Sequence, residues 1–226
     1  MRPPHGLSRA ALDAWAVVMP TECSGCGRPD RALCGVCLAG LAPQVHGSER
    51  AGVLVWSALD YSGVARRVLG AFKDGGRTDA AGALAAPLRA AVSAALEPVL
   101  EGAGVHLVTV PSSRQAWRIR GYHPVNLLLG HSGLRATPVL RPVGETQDQV
   151  GLGSAERGRN RTGSLVAVRP LHGFRALVVD DILTTGATIL EVRRAVLAAG
   201  GEVVGVATLA ETRRRFPVAG RSSETD

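Results

Sequence analysis

One stretch of this chain, residues 176–188, places two adjacent carboxylates next to a run of small and hydroxyl-bearing residues. The carboxylates are Asp180 and Asp181, and the run that follows is Thr184, Thr185, Gly186, Ala187 and Thr188. Small residues let a phosphate approach the backbone closely, and hydroxyls add hydrogen bonds to it. Carboxylates repel a phosphate, but they accept hydrogen bonds from sugar hydroxyls or bind the waters of Mg²⁺. The stretch therefore predicts a ligand with a sugar diol at one end and a phosphate at the other.

The elements on either side of this stretch must position it. The apolar run Leu177 to Val179 predicts a buried central strand that ends at the carboxylates. Apolar residues then recur at helical spacing until Gly200-Gly201, which predicts a helix. The first N–H groups of a helix lack internal partners and attract an anion, so the pattern indicates a phosphate site at a helix N-terminus. The plainer alternative is a capped helix after an acidic turn.

All four cysteines lie in two short motifs, Cys23-Ser-Gly-Cys26 and Cys34-Gly-Val-Cys37. Two such pairs separated by seven residues match a tetrahedral zinc site with four thiolate ligands. Disulfides or a redox dithiol are the alternatives, but disulfides need an oxidising compartment and redox motifs seldom occur twice. We expect a structural zinc ion, because the set of four ligands is complete.

Further basic and hydroxyl residues follow other predicted elements. Lys73 ends a helix predicted over 62–73, and Ser112 and Ser113 follow a strand predicted over 105–110. We interpret residues 112–122 as a loop. Loops after parallel strands line the ligand crevice of an α/β sheet, and arginines there suit a pyrophosphate. The arginines of this loop are Arg114, Arg118 and Arg120.

Composition sets the class of protein. The chain has 226 residues, of which 46% are hydrophobic, 20% charged and 4% aromatic, so we expect a globular domain plus a small module with a core of Ala, Val and Leu. The net charge of +7 suits nucleic acid or phosphorylated small molecules, without choosing between them. The sequence shows no obvious arginine-rich helix with interleaved aromatics. It also lacks an apolar run of about 18 residues and a secretory cleavage site, so we expect a cytoplasmic protein without membrane insertion.

The residues 176–188 resemble the signature of type I phosphoribosyltransferases, the enzymes that use phosphoribosyl pyrophosphate (PRPP). With the cysteine motifs, the whole chain resembles the ComF (GntX-like) family. One departure is His123-Pro124, where the family usually has Asn-Gln. The other motifs that carry the resemblance are Tyr61-Ser-Gly, Phe72-Lys73, Val110-Pro111, Arg120-Gly121-Tyr122 and the series Thr146, Gln149, Leu152, Arg157 and Asn160.

The resemblance implies an α/β fold, with a phosphoribosyltransferase-like parallel sheet flanked by helices over 47–212. A zinc module over 1–46 precedes it, and 213–226 is expected to be a disordered tail. It further implies that Asp180 and Asp181 bind the ribose hydroxyls of PRPP with Mg²⁺, and that 184–188 hold the 5′-phosphate. The pyrophosphate contacts implied are Ser112, Ser113 and Arg114, with Arg118 and Arg120 closing over the pyrophosphate. Lys73 is a candidate phosphate contact by its own chemistry, and the plainer alternative is a lysine that caps the end of its helix.

Two functions stay open at this point. One is phosphoribosyl transfer to an acceptor that the sequence does not identify. The other is a non-catalytic role in DNA uptake, with single-stranded DNA and DNA-uptake proteins as partners, which the ComF resemblance implies. An intact phosphate loop shows ligand capacity and not turnover. The sequence does not determine the oligomeric state.

Overall fold

A computed structural model describes residues 22–29, 31–50, 52–99, 104–143 and 163–212 of the chain. Three expectations lie outside these ranges: a short amphipathic helix, which the apolar residues Leu7, Leu12, Trp15 and Met19 predict over 7–19, the motif over 146–160 and the tail over 213–226. None of the helices in the described ranges is long and apolar enough to cross a membrane.

Within the described residues, seven strands form two sheets. The strands are β1 His46–Arg50, β2 Val53–Asp60, β3 Val105–Thr109, β4 Leu140–Pro142, β5 Leu165–Ala167, β6 Arg175–Leu183 and β7 Glu202–Glu211. The five-stranded sheet has the order β1-β2-β7-β6-β3, and β4 pairs with β5 in a separate antiparallel ribbon. Strands β2, β7, β6 and β3 are mutually parallel, whereas β1 is antiparallel to β2. The sheet is therefore mixed, but its centre is parallel as expected.

Helices cover both faces of the sheet. They are α1 Gly35–Ala39, α2 Gly63–Lys73, α3 Ala81–Leu96, α4 Arg114–Arg120, α5 Pro124–His131 and α6 Ala187–Ala198, with short 3₁₀ turns at Thr78–Ala80 and Glu97–Val99. Leu177 and Val179 of β6 pack with α2, α3 and α5, while Ala176 and Val178 pack with α6. This alternation is the two-residue period of a strand buried on both faces. The core is mostly Ala, Val and Leu, as predicted.

The structure corrects three local predictions. Residues 114–120 form helix α4 and not a loop, because Ser113 caps the segment by accepting a hydrogen bond from Ala116 N at 3.1 Å, and Gly121 ends it in a left-handed conformation. Strand β6 continues past Asp180 and Asp181 to Leu183, since β7 pairs with it over that length. The sequence also predicts a short strand over 137–140, but β4 begins only at Leu140, where β5 becomes available as a partner.

A buried carboxylate attaches the β4–β5 ribbon to helix α6. Glu191 is 4% exposed and accepts hydrogen bonds from the backbone of Gly163 and Leu165 at 3.0 and 2.8 Å. Arg194 donates to the same carboxylate at 2.8 Å and to the Leu165 carbonyl at 2.6 Å. The Arg194 hydrogen bonds outweigh the opposing effect of burial and, with the backbone donors, lower the pKa of Glu191 to about 2.

This carboxylate gives a pH-dependent prediction. Because the pKa of Glu191 is lower in the folded chain, its stabilisation is complete above the unfolded value of about 4.3 and is lost as the pH falls towards 2. We expect Glu191→Gln to lower the free energy of unfolding by about 2 kcal/mol at pH 7, a value reduced for the solvent that reaches Arg194. The difference from wild type should shrink below pH 4 in urea titrations. A pH-independent difference would contradict this assignment.

Candidate functional site

The pairing of β3 with β6 brings two strand ends together. These parallel strands are in register from Val105 opposite Arg175 to Thr109 opposite Val179. Ser112 and Ser113 therefore follow β3 at the sheet edge where β6 carries Asp180 and Asp181. Since carboxyl ends of adjacent parallel strands form ligand crevices, this edge is the expected place for a site.

A cavity of about 610 Å³ lies at this edge. Its lining joins Asp180 and Asp181 with two threonines, Thr184 in the loop before α6 and Thr188 in the first turn of α6. The other predicted site residues in its lining are Lys73, Ser112, Ser113 and Arg120. Eight of the predicted residues thus share one cavity, although they come from four separate parts of the chain.

An ion pair connects the carboxylates to α2. Lys73 Nζ lies 2.7 Å from Asp181 Oδ2, and Asp181 is only 7% exposed. Asp180 Oδ1 accepts a hydrogen bond from the backbone N–H of Asp181 at 2.9 Å. The role predicted for Lys73 near the phosphates is therefore compatible with its position, but in this structure its ammonium group neutralises Asp181.

The loop between β6 and α6 has the backbone that a phosphate site needs. Gly186 adopts φ +84°, which favours glycine, and helix α6 begins at the next residue. Thr185 Oγ1 accepts a hydrogen bond from Ala187 N at 3.3 Å. Thr185, Gly186 and Ala187 are outside the cavity lining, so Thr184 of the loop and Thr188 of the first helical turn are the side chains that this segment presents to the cavity.

A buried polar cluster beneath this loop was not predicted from the sequence. Glu211, at the end of β7, is 2% exposed and accepts hydrogen bonds from Arg50 and from Ser48 Oγ, the latter at 2.8 Å. Ser57 Oγ also donates to it, at 3.4 Å. A Cβ atom at Gly186 would lie 3.6 Å from Arg50 Cβ, so the cluster lies next to the loop. The sequence signal for it is the presence of single polar residues in otherwise apolar strands, namely Ser57 in β2 and Glu211 at the end of β7.

The three arginines within residues 112–122 point to two different cavities, because they lie on different sides of helix α4. Arg120 lines the cavity and lies 3.3 Å from Asp74 Oδ1, beside the end of α2. Arg114 and Arg118 instead line a neighbouring cavity of about 390 Å³. Only Arg120 of the three therefore reaches the cavity that contains the carboxylates.

The four cysteines form one cluster whose ligand sulfurs all lie within 4.8 Å of one another. Cys26 Sγ and Cys34 Sγ are 3.7 Å apart. A tetrahedral zinc ion with Zn–S bonds of about 2.3 Å requires about 3.8 Å between sulfurs, so the residues fit this metal. Burial raises the pKa of Cys37 to about 12; burial also opposes ionisation of Cys23, but backbone N–H groups lower its pKa to about 6.

The cysteine cluster packs directly on α2. Val64 contacts the cluster, and Arg67 donates from Nε to the Gly25 carbonyl. Arg77 donates to the Glu22 carbonyl at 2.9 Å. The module is therefore docked on the helix that ends at Lys73.

Gly25 gives a sharp test of the metal prediction. A Cβ atom there would lie 2.6 Å from Cys37 Sγ, so Gly25→Ala should push Cys37 out of the ligand set. We expect about one zinc per chain in the purified wild type, and loss of most of it in Gly25→Ala, measured by elemental analysis together with thiol titration. Gly35→Ala is the matched control, because no atom lies within 4 Å of its Cβ position and its φ is not left-handed. A metal-free wild type with four titratable thiols would contradict the prediction.

The sequence of this chain is similar to a known family model and to several known proteins. The family model for the phosphoribosyl transferase domain matches residues 147–218. The DNA utilization protein YhgH of Salmonella typhimurium is 29% identical over 217 residues, which cover 89% of this chain and 93% of that protein. The same protein of Shigella flexneri is 28% identical over 218 residues, with the same coverage of 89% and 93%. An orotate phosphoribosyltransferase of Pyrobaculum aerophilum is 48% identical over 67 residues, which are 29% of this chain and only 31% of that enzyme.

Two solved structures are also similar. An adenine phosphoribosyltransferase is 16% identical with a TM-score of 0.37, covering 77% of this chain and 89% of that chain. The adenine phosphoribosyltransferase of Rhodothermus marinus is 24% identical with a TM-score of 0.34, covering 79% and 88%. The near full-length YhgH homologues, the phosphoribosyl transferase domain match and the four-cysteine cluster support the resemblance to the ComF (GntX-like) family. The chain therefore has a phosphoribosyltransferase-type domain that follows a four-cysteine cluster able to hold a metal ion.

Proposed function

We propose that this chain binds PRPP with Mg²⁺ in the 610 Å³ cavity and transfers its phosphoribosyl group to an acceptor. The observation that carries the proposal is the composition of that one cavity. It gathers an acid pair suited to a sugar diol, hydroxyls at a helix N-terminus suited to a phosphate, and two cations suited to a pyrophosphate. The domain boundaries that we assign are 1–46 for the metal module, 47–212 for the transferase-like domain and 213–226 for the tail.

The roles of the residues follow from their chemistry. Asp180 and Asp181 accept hydrogen bonds from the ribose hydroxyls, and the segment 184–188 binds the 5′-phosphate. Ser112, Ser113 and Arg120 contact the pyrophosphate, together with Lys73. Arg114 and Arg118, which were expected to approach the pyrophosphate, line the neighbouring cavity, so we do not assign them this role.

The carboxylates also fit Mg²⁺, which is an oxygen-binding cation that commonly reaches proteins through carboxylates and substrate phosphates. When bound with PRPP, Mg²⁺ supplies positive charge to the departing pyrophosphate. Lys73 already satisfies Asp181 at 2.7 Å, so binding of the sugar and its metal requires Lys73 to exchange that partner for the ligand. The lysine can then place its charge beside the pyrophosphate without leaving Asp181 unpaired.

The first test is calorimetric titration of PRPP with Mg²⁺ into the zinc-loaded full chain and into Asp180→Asn/Asp181→Asn. We expect the double variant to bind at least about 100-fold more weakly, since it loses two charge-assisted sets of hydrogen bonds of about 1.5–3 kcal/mol each. The charge-matched control is Glu97→Gln/Glu202→Gln, which neutralises two exposed carboxylates outside the cavity. A folded, zinc-loaded wild type that does not bind PRPP would overturn the proposal.

Binding of single-stranded DNA is the second candidate, and α4 is the observation that favours it. The helix combines Arg114 and Arg118 with Trp117 and Ile119, which are 53% and 75% exposed. The sequence pattern shows no such helix, and the structure corrects this interpretation, because α4 carries arginines beside an exposed aromatic residue. Stacking on an aromatic and contact of arginine with phosphate are how single strands are bound without sequence preference. The relatives named DNA utilization protein are consistent with this candidate.

Salt dependence tests the second candidate. Two phosphate contacts predict an affinity for an oligothymidine that falls about sevenfold between 50 and 200 mM salt. Trp117→Ala should weaken binding by about 1–3 kcal/mol through lost stacking. Leu197→Ala removes a similarly exposed side chain from α6 and should change nothing. No measurable binding at low salt, followed by fluorescence anisotropy, would remove this candidate.

A further inference from the structure

The 390 Å³ cavity has no role in the function proposed above. It lies between α4, α5 and the residues just before β4, and it shares Pro111, Ser112 and His123 with the larger cavity. The two cavities are therefore separated by one thin wall, which consists of the loop after β3 and a single imidazole. A molecule in the smaller cavity would lie next to the proposed pyrophosphate contacts Ser112 and Ser113.

The walls of the smaller cavity suit a flat apolar ring. Trp117 contributes an indole that is half exposed, and Leu140 is also part of the lining. Pro111 and Pro138 are the other apolar residues in the lining. Mostly apolar walls with a few polar groups, in a volume of this size, are typical of sites for small molecules.

The charged groups in the lining all have the same sign. Arg114 and Arg118 are present, and none of the described lining residues is acidic. Arg118 has no carboxylate partner among the described residues, whereas Arg120 on the same helix pairs with Asp74. A guanidinium group presents a planar pair of donors that matches a carboxylate. The charge distribution therefore selects an anionic ligand.

The remaining polar groups are arranged to donate hydrogen bonds. Thr109 Oγ1 donates to Asn126 Oδ1 at 2.9 Å, which leaves the amide nitrogen of Asn126 as a donor in this cavity. His123 accepts from Asn126 N at Nδ1, at 3.3 Å, and its Nε2 donates to the Val110 carbonyl at 2.7 Å. The imidazole is thus held by the backbone at both nitrogens and forms a fixed wall.

We propose that the smaller cavity is the acceptor subsite and that it binds a planar heteroaromatic ring carrying a carboxylate. The assignment as an acceptor rests on the proposed function. In the transfer, the lone pair of a ring nitrogen forms the bond to C1 of the ribose as the bond from C1 to the pyrophosphate oxygen breaks. The electron pair of that bond leaves with the pyrophosphate, and a proton on the attacking nitrogen, where there is one, passes to solvent.

The test compares acids with their neutral counterparts on the full, zinc-loaded chain without PRPP. Nicotinate is paired with nicotinamide, and orotate with uracil. We expect at least one acid to bind, with its neutral counterpart about 10-fold weaker or worse, because the carboxylate meets the arginines. Arg114→Gln/Arg118→Gln should lower binding of that acid at least about 10-fold, and Trp117→Leu should weaken acid and neutral ring alike. Arg89→Gln removes an exposed arginine of α3 and serves as the control.

Several outcomes would overturn the proposal. They are no binding of either acid at about 10 mM, equal binding of the neutral rings, and an unchanged affinity in Arg114→Gln/Arg118→Gln. Displacement of a bound acid by a short oligothymidine would identify a nucleic-acid strand as the occupant instead. Because the titrations contain no PRPP, Asp180→Asn/Asp181→Asn should bind the acid as wild type does. A failure of the sugar site and a failure of this subsite are therefore distinguishable.

Discussion

The site contains two adjacent carboxylates in strand β6, and burying their negative charge is unfavourable unless each carboxylate has a partner. Asp181 is 7% exposed, and an ionised carboxylate at such a depth costs several kcal/mol unless it is paired. Lys73 supplies the pair at 2.7 Å, and the backbone of Asp181 supplies a hydrogen bond to Asp180. The acids are therefore paired at the edge of the sheet, and in the proposed function a sugar and its metal ion take the place of the lysine.

The cysteine cluster can influence the position of Lys73 through helix α2, without touching the cavity itself. Lys73 is the last residue of α2, which has 11 residues and spans about 16 Å. The first half of the same helix carries Val64 and Arg67, which contact the cysteine cluster. Tyr122 donates to the Phe72 carbonyl near the other end. A rigid helix held at both ends fixes where its terminal ammonium group lies, so a metal bound by the cysteines would stabilise the site from a distance.

The parts of the site that could be predicted from the sequence are those encoded by local patterns. The apolar run before Asp180, the small residues around Gly186 and the spacing of the cysteines each specify their own backbone geometry. Helix α4 could not be predicted in this way, because its seven residues have no apolar periodicity and its formation depends on Ser113 at one end and Gly121 at the other. The divergence of Arg114 and Arg118 from Arg120 followed from that helix and was missed with it.

Long-range partners were also beyond the reach of local patterns. Glu211 is separated by 161 residues from Arg50 and by 163 from Ser48, so only the fold brings them together next to the loop before α6. From the sequence, Glu191 is expected to be an exposed polar residue on a helix. Its burial depends on Arg194 one turn later and on the backbone of Leu165, which arrives from a different strand.

The departure from the family at His123-Pro124 changes the character of the wall between the two cavities. Pro124 occupies the first turn of α5, where its fixed φ suits a helix start and its missing N–H is not needed. His123 caps that helix and holds the end of β3 through Val110, so both of its nitrogens are engaged with the backbone. An amide at this position would keep a donor and an acceptor for a ligand, whereas this imidazole keeps neither. Polar contacts with a ligand in the smaller cavity would therefore come from Arg114, Arg118 and Asn126, which differ from the residues proposed to hold the sugar phosphate.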